Sequence, residues 1–355
     1  MTTDDGIVRW GIVGTGKIAR VLARAIAESR DGALVAVGSR DVERAKTLVG
    51  EFGVSRHHSS YEGLIEDESV DIVYVATHHP AHREWAVRAA EAGKHVLCEK
   101  PLAMRASDAA EIVGAARANG VFLLEAFAYR CHPQTRELSR LLRDGAIGEI
   151  RMVDAVFGYD AGPDPGNYLL AHELGGGGIL DVGCYTTSMA HLVAAAAAGA
   201  TTDETVDVAA AATVGPTGVD VSSAATLVFA GGLLARVACS IEADLDSSVR
   251  IYGSEGVVAI PSPWLPGRIG VTAEIVIRRR GSEPDVVAVP LESDVYTVEV
   301  DAVNGFVRAG ERSASVMPME ESLANMRTLD RWRRAIGVWY EGDDQDAGDE
   351  RGNRR

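Results

Sequence analysis

The chain has 355 residues, 46% of them hydrophobic and 24% charged, with a formal net charge of −16. That length suits two domains rather than one core, and the acidic balance argues against nucleic acid or an anionic membrane as a partner. The four cysteines, Cys98, Cys131, Cys184 and Cys239, form no C-x-x-C pair and suggest neither a disulfide framework nor a zinc site. The opening Met1-Thr2-Thr3-Asp4-Asp5 lacks the basic-then-apolar layout of a signal peptide, and no apolar run approaches the ~18 residues of a membrane span. A cytoplasmic protein is expected.

Residues 8–13 form a short, mostly apolar run of the kind a central parallel strand shows. After it, Ile18, Val21, Leu22, Ala25 and Ile26 fall on one helix face. Gly14-x-Gly16-x-x-Ala19 therefore sits where a strand becomes a helix. Gly14 permits a tight turn, Gly16 lets backbone approach a pyrophosphate, and Ala19 allows close helix–strand packing. The helix start aims unpaired N–H groups at the phosphates, making Gly14, Thr15, Gly16, Lys17 and Ile18 the phosphate-loop candidates. A second strand, 34–38, ends at Ser39 and Arg40. The NAD-selective version of this arrangement carries an acidic residue near that point, whereas Ser39 and Arg40 better suit a 2′-phosphate and favour NADP over NAD.

Asp41 is placed to cap the next helix, in which Ala45, Leu48, Val49 and Phe52 line one face. A strand at 70–76 leads into Thr77-His78-His79-Pro80-Ala81-His82. No carboxylate or cysteine joins these histidines at ligand spacing, so no metal is expected, and Thr77, His79 and His82 are assigned to the cofactor crevice. A helix over 84–92 stops at Gly93, and the strand 95–98 runs into Glu99-Lys100-Pro101. The proline keeps Lys100 extended and is compatible with a cis bond, while the strand end puts Glu99 and Lys100 at the ligand crevice. Ser107 is expected to cap a helix ending at Asn119-Gly120, and 121–126 supplies one more strand. Strands and helices alternating in this way mean an α/β Rossmann domain with a doubly wound parallel sheet, here residues 1–127.

Past Pro133 a helix carries Leu138, Leu141 and Leu142, and a strand covers 150–157. The irregular stretch 158–178 leads directly to Asp181 and Tyr185 and should border a substrate, with Asn167, Tyr168 and His172 as hydroxyl contacts. A helix over 178–198, stopped by Gly199, has Ile179, Val182, Thr186, Met189 and Val193 on one side. Asp181 and Tyr185 are four apart and share a face. Between 206 and 290, Val- and Thr-rich runs separated by glycines predict a largely antiparallel open sheet of about six strands, packed on helices on one face. Within it, 221–229 and 233–241 read as a hairpin. A terminal helix near 320–340 closes this second, α+β domain, residues 128–340, which is expected to bind substrate and to form a homodimer or homotetramer through its open sheet face. The charged 341–355 is expected to be a disordered tail.

Together, Gly14-x-Gly16-x-x-Ala19, Glu99-Lys100-Pro101, the run from Glu125-Ala126-Phe127 through Tyr129-Arg130-Cys131-His132-Pro133, and Gly175-Gly176-Gly177-Gly178-Ile179-Leu180-Asp181-Val182-Gly183-Cys184-Tyr185 resemble the Gfo/Idh/MocA oxidoreductases. The resemblance extends over nearly the whole chain. It is strongest to the branch holding NADP-dependent xylose dehydrogenases, dimeric dihydrodiol dehydrogenases and sugar 3-ketoreductases, which carries tyrosine at the Tyr185 position. It implies hydride transfer between NAD(P) and a ring carbon of a sugar, polyol or glycoside, with Tyr129 and Arg130 as further substrate contacts. Relatives usually carry proline directly after the threonine of the Thr77 turn, and this chain has His78 there.

In that chemistry Tyr185 is the expected proton donor or acceptor, with Lys100 beside it and Asp181 orienting the hydroxyl; Lys100 itself and His132 are the other assignments. Moving a phenol from ~10 to ~7 needs about 4 kcal/mol, which one ammonium ~4 Å away supplies at an effective dielectric of about 20. A glycoside-cleaving enzyme that oxidises C3 transiently and keeps its NAD is the alternative, and redox-neutral release of the aglycone distinguishes it. A non-catalytic dinucleotide sensor predicts a defective Lys100, Asp181 and Tyr185 set, and all three are intact.

Overall fold

The computed structural model describes residues 6–343, apart from 55, 163, 165, 267–272 and 291–292; of the expected disordered tail, everything from 344 onward lies outside the described residues. Six strands, β1 (Val8–Val13), β2 (Gly32–Gly38), β3 (Arg56–His58), β4 (Ile72–Val75), β5 (His95–Glu99) and β6 (Leu123–Ala126), form an all-parallel sheet in the order β3-β2-β1-β4-β5-β6. Helices α1 (Lys17–Glu28), α2 (Val42–Glu51), α3 (Tyr61–Ile65), α4 (His82–Glu91) and α5 (Ala106–Asn119) connect them. Every residue of β4 is buried, as an unbroken Ile-Val-Tyr-Val run requires of a strand covered on both faces. The strand order reverses between β1 and β4, which opens a crevice at their carboxyl ends.

Local capping follows the sequence in one case and departs from it in another. The Asp41 carboxylate accepts from the backbone N–H of Glu43 and Arg44 at the start of α2. Ser107, by contrast, does not cap α5: the helix begins one residue earlier, and its Ala106 N–H donates to the Asp330 carboxylate at 2.9 Å, a cap supplied from far along the chain.

The second domain holds α6 (Ala128–Cys131), α7 (Pro133–Arg143), β7 (Ile150–Gly158) and α8 (Cys184–Ala198). Seven more strands follow: β8 (Thr205–Val214), β9 (Asp220–Phe229), β10 (Leu234–Ser240), β11 (Ser248–Gly253), β12 (Gly256–Ile260), β13 (Ala273–Arg279) and β14 (Asp285–Val289). Among the described residues the sheet has eight strands rather than about six, because residues 205–289 form seven and β7 is inserted among them, in the order β14-β13-β12-β11-β7-β10-β9-β8. The β7–β10 pair is parallel and every other pair antiparallel. Alternate residues Ala225, Leu227 and Phe229 of β9 point into the core, while Ala224 and Thr226 face outward.

α8 departs from the one-sided pattern. It lies between the sheet and α7 and α10 (Met319–Ala335), so Cys184 and every residue from Thr186 to Ala195 are buried all round. The helix read at 320–340 ends at Ala335.

β3, α3, α6 and helix α9 (Val295–Arg308) are not among the elements expected from sequence, and the last of them matters most. Helix α9 returns to the first domain and packs on α1. There Trp10 Nε1 donates to Asn304 Oδ1 at 2.9 Å, and the Phe122 and Phe306 rings stack 5.9 Å apart. Just beyond, the Leu123 N–H at the start of β6 donates to the Arg312 carbonyl. Asn304→Ala leaves the indole N–H buried without an acceptor, and unfolding in urea is expected to show a loss of about 1–3 kcal/mol. An unchanged urea midpoint contradicts the staple.

Candidate active site

The glycine loop lies at the crevice between β1 and β4. Gly14 has φ +111°, and a Cβ there would meet the Ala76 carbonyl oxygen at 2.6 Å, so only glycine fits the close approach of the two strand ends. Gly16 caps α1 with no side chain over the first N–H groups, and a Cβ at Gly16 would meet nothing within 4 Å. Backbone donors facing open space at a helix start are the cradle a diphosphate needs, so these residues fit a dinucleotide. Thr15 and Ile18 are half-buried beside it, and Lys17 is exposed. At the end of β2, Ser39 is buried, with its hydroxyl 3.4 Å from that of Thr15 and accepting from the Asp41 N–H. The Arg40 guanidinium is exposed and sits 5.9 Å from the Tyr61 ring centroid.

The histidines after β4 are taken up by backbone. His82 places Nε2 3.0 Å from the Thr77 carbonyl and Nδ1 3.0 Å from the Pro101 carbonyl. His79 places Nδ1 3.0 Å from the Gly175 carbonyl. Burial pushes His79 down to about 3 and His82 to about 4, so both rings are neutral near pH 7. His79 thus ties its turn to the substrate loop and His82, when neutral, donates to one of its two facing carbonyls, while the Thr77 hydroxyl is buried with no partner among the described residues. Glu99 is held by the Tyr74 hydroxyl and accepts from the Lys100 N–H.

Lys100 leaves β5 through a cis Lys100–Pro101 bond, and its ammonium crosses to the second domain. It donates to the Asp181 carbonyl at 2.7 Å and to Asp181 Oδ1 at 3.1 Å. Burial opposes the Lys100 charge, but the Asp181 carboxylate outweighs it and holds the amine well above its ordinary value. Burial likewise works against the Asp181 charge, and Lys100 with a Tyr159 hydrogen bond reverses it, keeping the carboxyl below its usual range. Asp181 sits in a π-helical turn, Ile179–Gly183, that precedes α8. The Ile179 N–H at the start of that turn donates to the buried Asp220 carboxylate at 2.7 Å.

Tyr185 stands one turn on, its ring centroid 5.2 Å from the Lys100 ammonium. Phe127, Phe157, Tyr129 and Trp264 surround the ring at centroid distances of 5.0, 5.3, 5.9 and 6.1 Å. This enclosure overturns the expected balance. Burial outweighs the Lys100 charge and raises the Tyr185 hydroxyl well above its ordinary value, so it is a protonated donor at neutral pH rather than a phenolate.

The structure therefore brings Lys100, Asp181 and Tyr185 together, with Tyr168 beside them. The Tyr168 ring lies 5.3 Å from the His78 ring. A cavity of about 820 Å³ opens there, lined by His78, Asn167, Tyr168, His172, Glu173 and Thr217 among others. Within that wall, Asn167 accepts from the Leu169 N–H and His172 Nε2 lies 2.8 Å from the Trp339 carbonyl. Tyr129 and Arg130 are fully inside. The Tyr129 hydroxyl donates to Ser188, and the Arg130 guanidinium is shared among the Val316 and Ser188 carbonyls and Glu321 at 2.7 Å. Their bonds fix the core behind the aromatic box rather than reaching the cleft. His132 caps α7, its Nδ1 accepting from the Gln134 N–H, while its Nε2 is buried with no hydrogen-bond partner among the described residues.

Tyr159, which the sequence reading passed over, donates to Asp181 Oδ2 at 2.6 Å. A phenol one residue past the end of β7, at the mouth of the irregular stretch, was the available signal.

Comparison with known proteins places this geometry. Residues 8–127 match the model of an oxidoreductase family with an NAD-binding Rossmann fold, and residues 135–259 match the GFO/IDH/MocA C-terminal domain. The chain is 32% identical over 338 residues to trans-1,2-dihydrobenzene-1,2-diol dehydrogenase of Mus musculus, covering 94% of this chain and 98% of that protein. KijD10, a 3-ketoreductase from Actinomadura kijaniata solved with NADP and TDP-benzene, has a TM-score of 0.82 at 29% identity, over 93% of this chain and 98% of its own. Aldose-aldose oxidoreductase from Caulobacter crescentus, solved with glycerol, also has a TM-score of 0.82, at 26% identity and the same coverage of both chains.

Gly14→Ala forces a methyl group onto the Ala76 carbonyl and is expected to weaken NADPH binding at least about tenfold in a fluorescence titration. Unaltered binding removes the loop from the cofactor site.

Proposed function

This chain belongs to the Gfo/Idh/MocA oxidoreductase family, and we propose that it transfers a hydride between NADP(H) and a ring carbon of a sugar, polyol or glycoside. The observation that carries the reading is the Lys100–Asp181 pair beside an aromatic-boxed Tyr185 at the carboxyl end of the parallel sheet. Arg40, exposed at the end of β2 with no acidic residue in its place, supports the 2′-phosphate form of the cofactor. KijD10 was solved with NADP, which is consistent with that preference.

A bound nicotinamide supplies or accepts the hydride; the proton is the protein's task. Tyr185, held protonated, gives its hydroxyl proton to a carbonyl oxygen as negative charge grows there. The Lys100 ammonium stabilises that oxygen and the phenolate left behind. Asp181 keeps the ammonium charged and in place. The cavity by Tyr168 has room for a substituent beyond the reacting ring. No lysine or arginine is among its described lining residues, so it suits a neutral glycoside better than a nucleoside diphosphate, which needs cationic donors.

The decisive experiment is a panel of free sugars, glycosides and nucleotide-sugars read by NADPH and NADH absorbance. Lys100→Ala is expected to cut kcat roughly a hundredfold or more while NADPH affinity stays near wild type; unchanged turnover removes the assignment. Release of aglycone without net NADPH formation instead selects the glycoside-cleaving alternative.

Tyr185 also sets the pH behaviour. Its raised value keeps the proton donor loaded, so ketone reduction is expected to stay flat from about pH 6 to about pH 9, while alcohol oxidation climbs over that range as the phenolate becomes accessible. A reduction rate falling through pH 7 contradicts a protonated Tyr185.

A further inference from the structure

Lys100 has three N–H donors, and Asp181 takes two of them through its main-chain carbonyl and one carboxylate oxygen. The third is left for the cleft, where the Tyr185 ring lies 5.2 Å away. That division holds only while Asp181 turns a single oxygen to the ammonium. A carboxylate with no other donor is free to rotate both oxygens onto a neighbouring cation and draw it off the reacting oxygen.

We propose that Tyr159 is a positioning residue for the reaction: by holding Asp181 Oδ2 it limits the carboxylate to one contact with Lys100 and so aims the remaining N–H at the substrate oxygen. The assignment rests on the hydride-transfer reading of this site.

The placement of Tyr159 is rigid. Its N–H donates to the Ser240 carbonyl at 3.1 Å, continuing the parallel β7–β10 pairing, so the phenol is delivered from the middle of the second sheet. Its hydroxyl bonds Asp181 Oδ2 at 2.6 Å, in the range of a charge-assisted bond. Burial and the adjacent carboxylate keep the Tyr159 hydroxyl protonated, so it acts only as a donor. Asp181 is thereby gripped from two domains: Lys100 comes from the first sheet and Tyr159 from the second. Other ionisable groups facing it are neutral His79 from the turn after β4, Glu99 from the end of β5, Tyr168 from the substrate loop, Cys184 from the start of α8 and Cys239 from β10. None of these hydrogen-bonds to Oδ2, so no other donor among the described residues replaces Tyr159.

Tyr159→Phe keeps the ring and deletes the donor. The expected result, with the panel sugar of highest kcat/KM, is a tenfold or greater fall in kcat with NADPH affinity unchanged. Losing the bond that lowers Asp181 shifts the acid limb of the kcat profile to higher pH, because the carboxylate must stay ionised to hold Lys100. The effect also vanishes in the Asp181→Asn background, where the double variant is no slower than the single one. A purely structural role predicts additive losses and an unmoved acid limb; either result, or wild-type kcat in Tyr159→Phe, overturns the proposal. If Lys100→Ala retains turnover, the site reading itself fails. If Lys100→Ala is dead and Tyr159→Phe is normal, only the positioning role is lost.

Discussion

The ion pair between Lys100 and Asp181 joins the two domains, and the shape of the cleft depends on it. Both side chains are largely shielded from water, Lys100 at 16% and Asp181 at 7% side-chain exposure. Taking such charges out of water is costly unless the geometry is close and the leftover hydrogen-bonding capacity is satisfied. Here the Asp181 carbonyl, Tyr159 and the cleft meet those demands, and removal of either charge strands the other. Such a pair is poor evidence for stability and good evidence for function: a hydrophobic contact of similar volume could glue the domains without placing an ammonium beside a tyrosine.

Around that pair the protein uses buried charge for registration elsewhere. Arg130 meets Glu321 at 2.7 Å with both side chains 3% exposed, tying α6 to α10 behind the aromatic box. Arg333 on α10 meets Asp330 and Asp343, each at 2.7 Å, and donates to the Met104 carbonyl just past the Lys100-Pro101 turn. The Tyr340 hydroxyl then bonds the Gly176 carbonyl, at the glycine run that starts the Asp181 turn. The chain near its described end thus grips both turns that carry the ion pair, from behind.

Much of this was legible in the amino-acid order because it is local. The strand–glycine–helix opening, the Lys100 turn and the spacing of Asp181 and Tyr185 are set within a few residues of each other, where periodicity and glycine chemistry decide. What escaped was decided by partners distant in sequence. The α5 cap comes from Asp330, not Ser107. α8 is wrapped on every side, so no apolar stripe marks its inner face. Tyr129 and Arg130 sit in a motif near the cleft, yet their polar atoms are consumed by Ser188, Val316 and Glu321. The Tyr185 hydroxyl went the other way from expectation because four aromatic neighbours, scattered from Phe127 to Trp264, crowd the half-buried ring, and desolvation outweighs the Lys100 charge. Desolvation is a property of the assembled wall, and no window of sequence displays it.

The return of α9 to the first sheet has a mechanical consequence. The chain leaves the first domain after β6, builds the second sheet, comes back through α9 and the Arg312–Leu123 contact, and leaves again into α10. Two bodies tethered by several passes of backbone do not swing open like a jaw on a single linker. Relative motion that keeps these contacts is limited to a small rocking about the tethers. Several passes of backbone thus hold the ammonium and the carboxylate on one common frame.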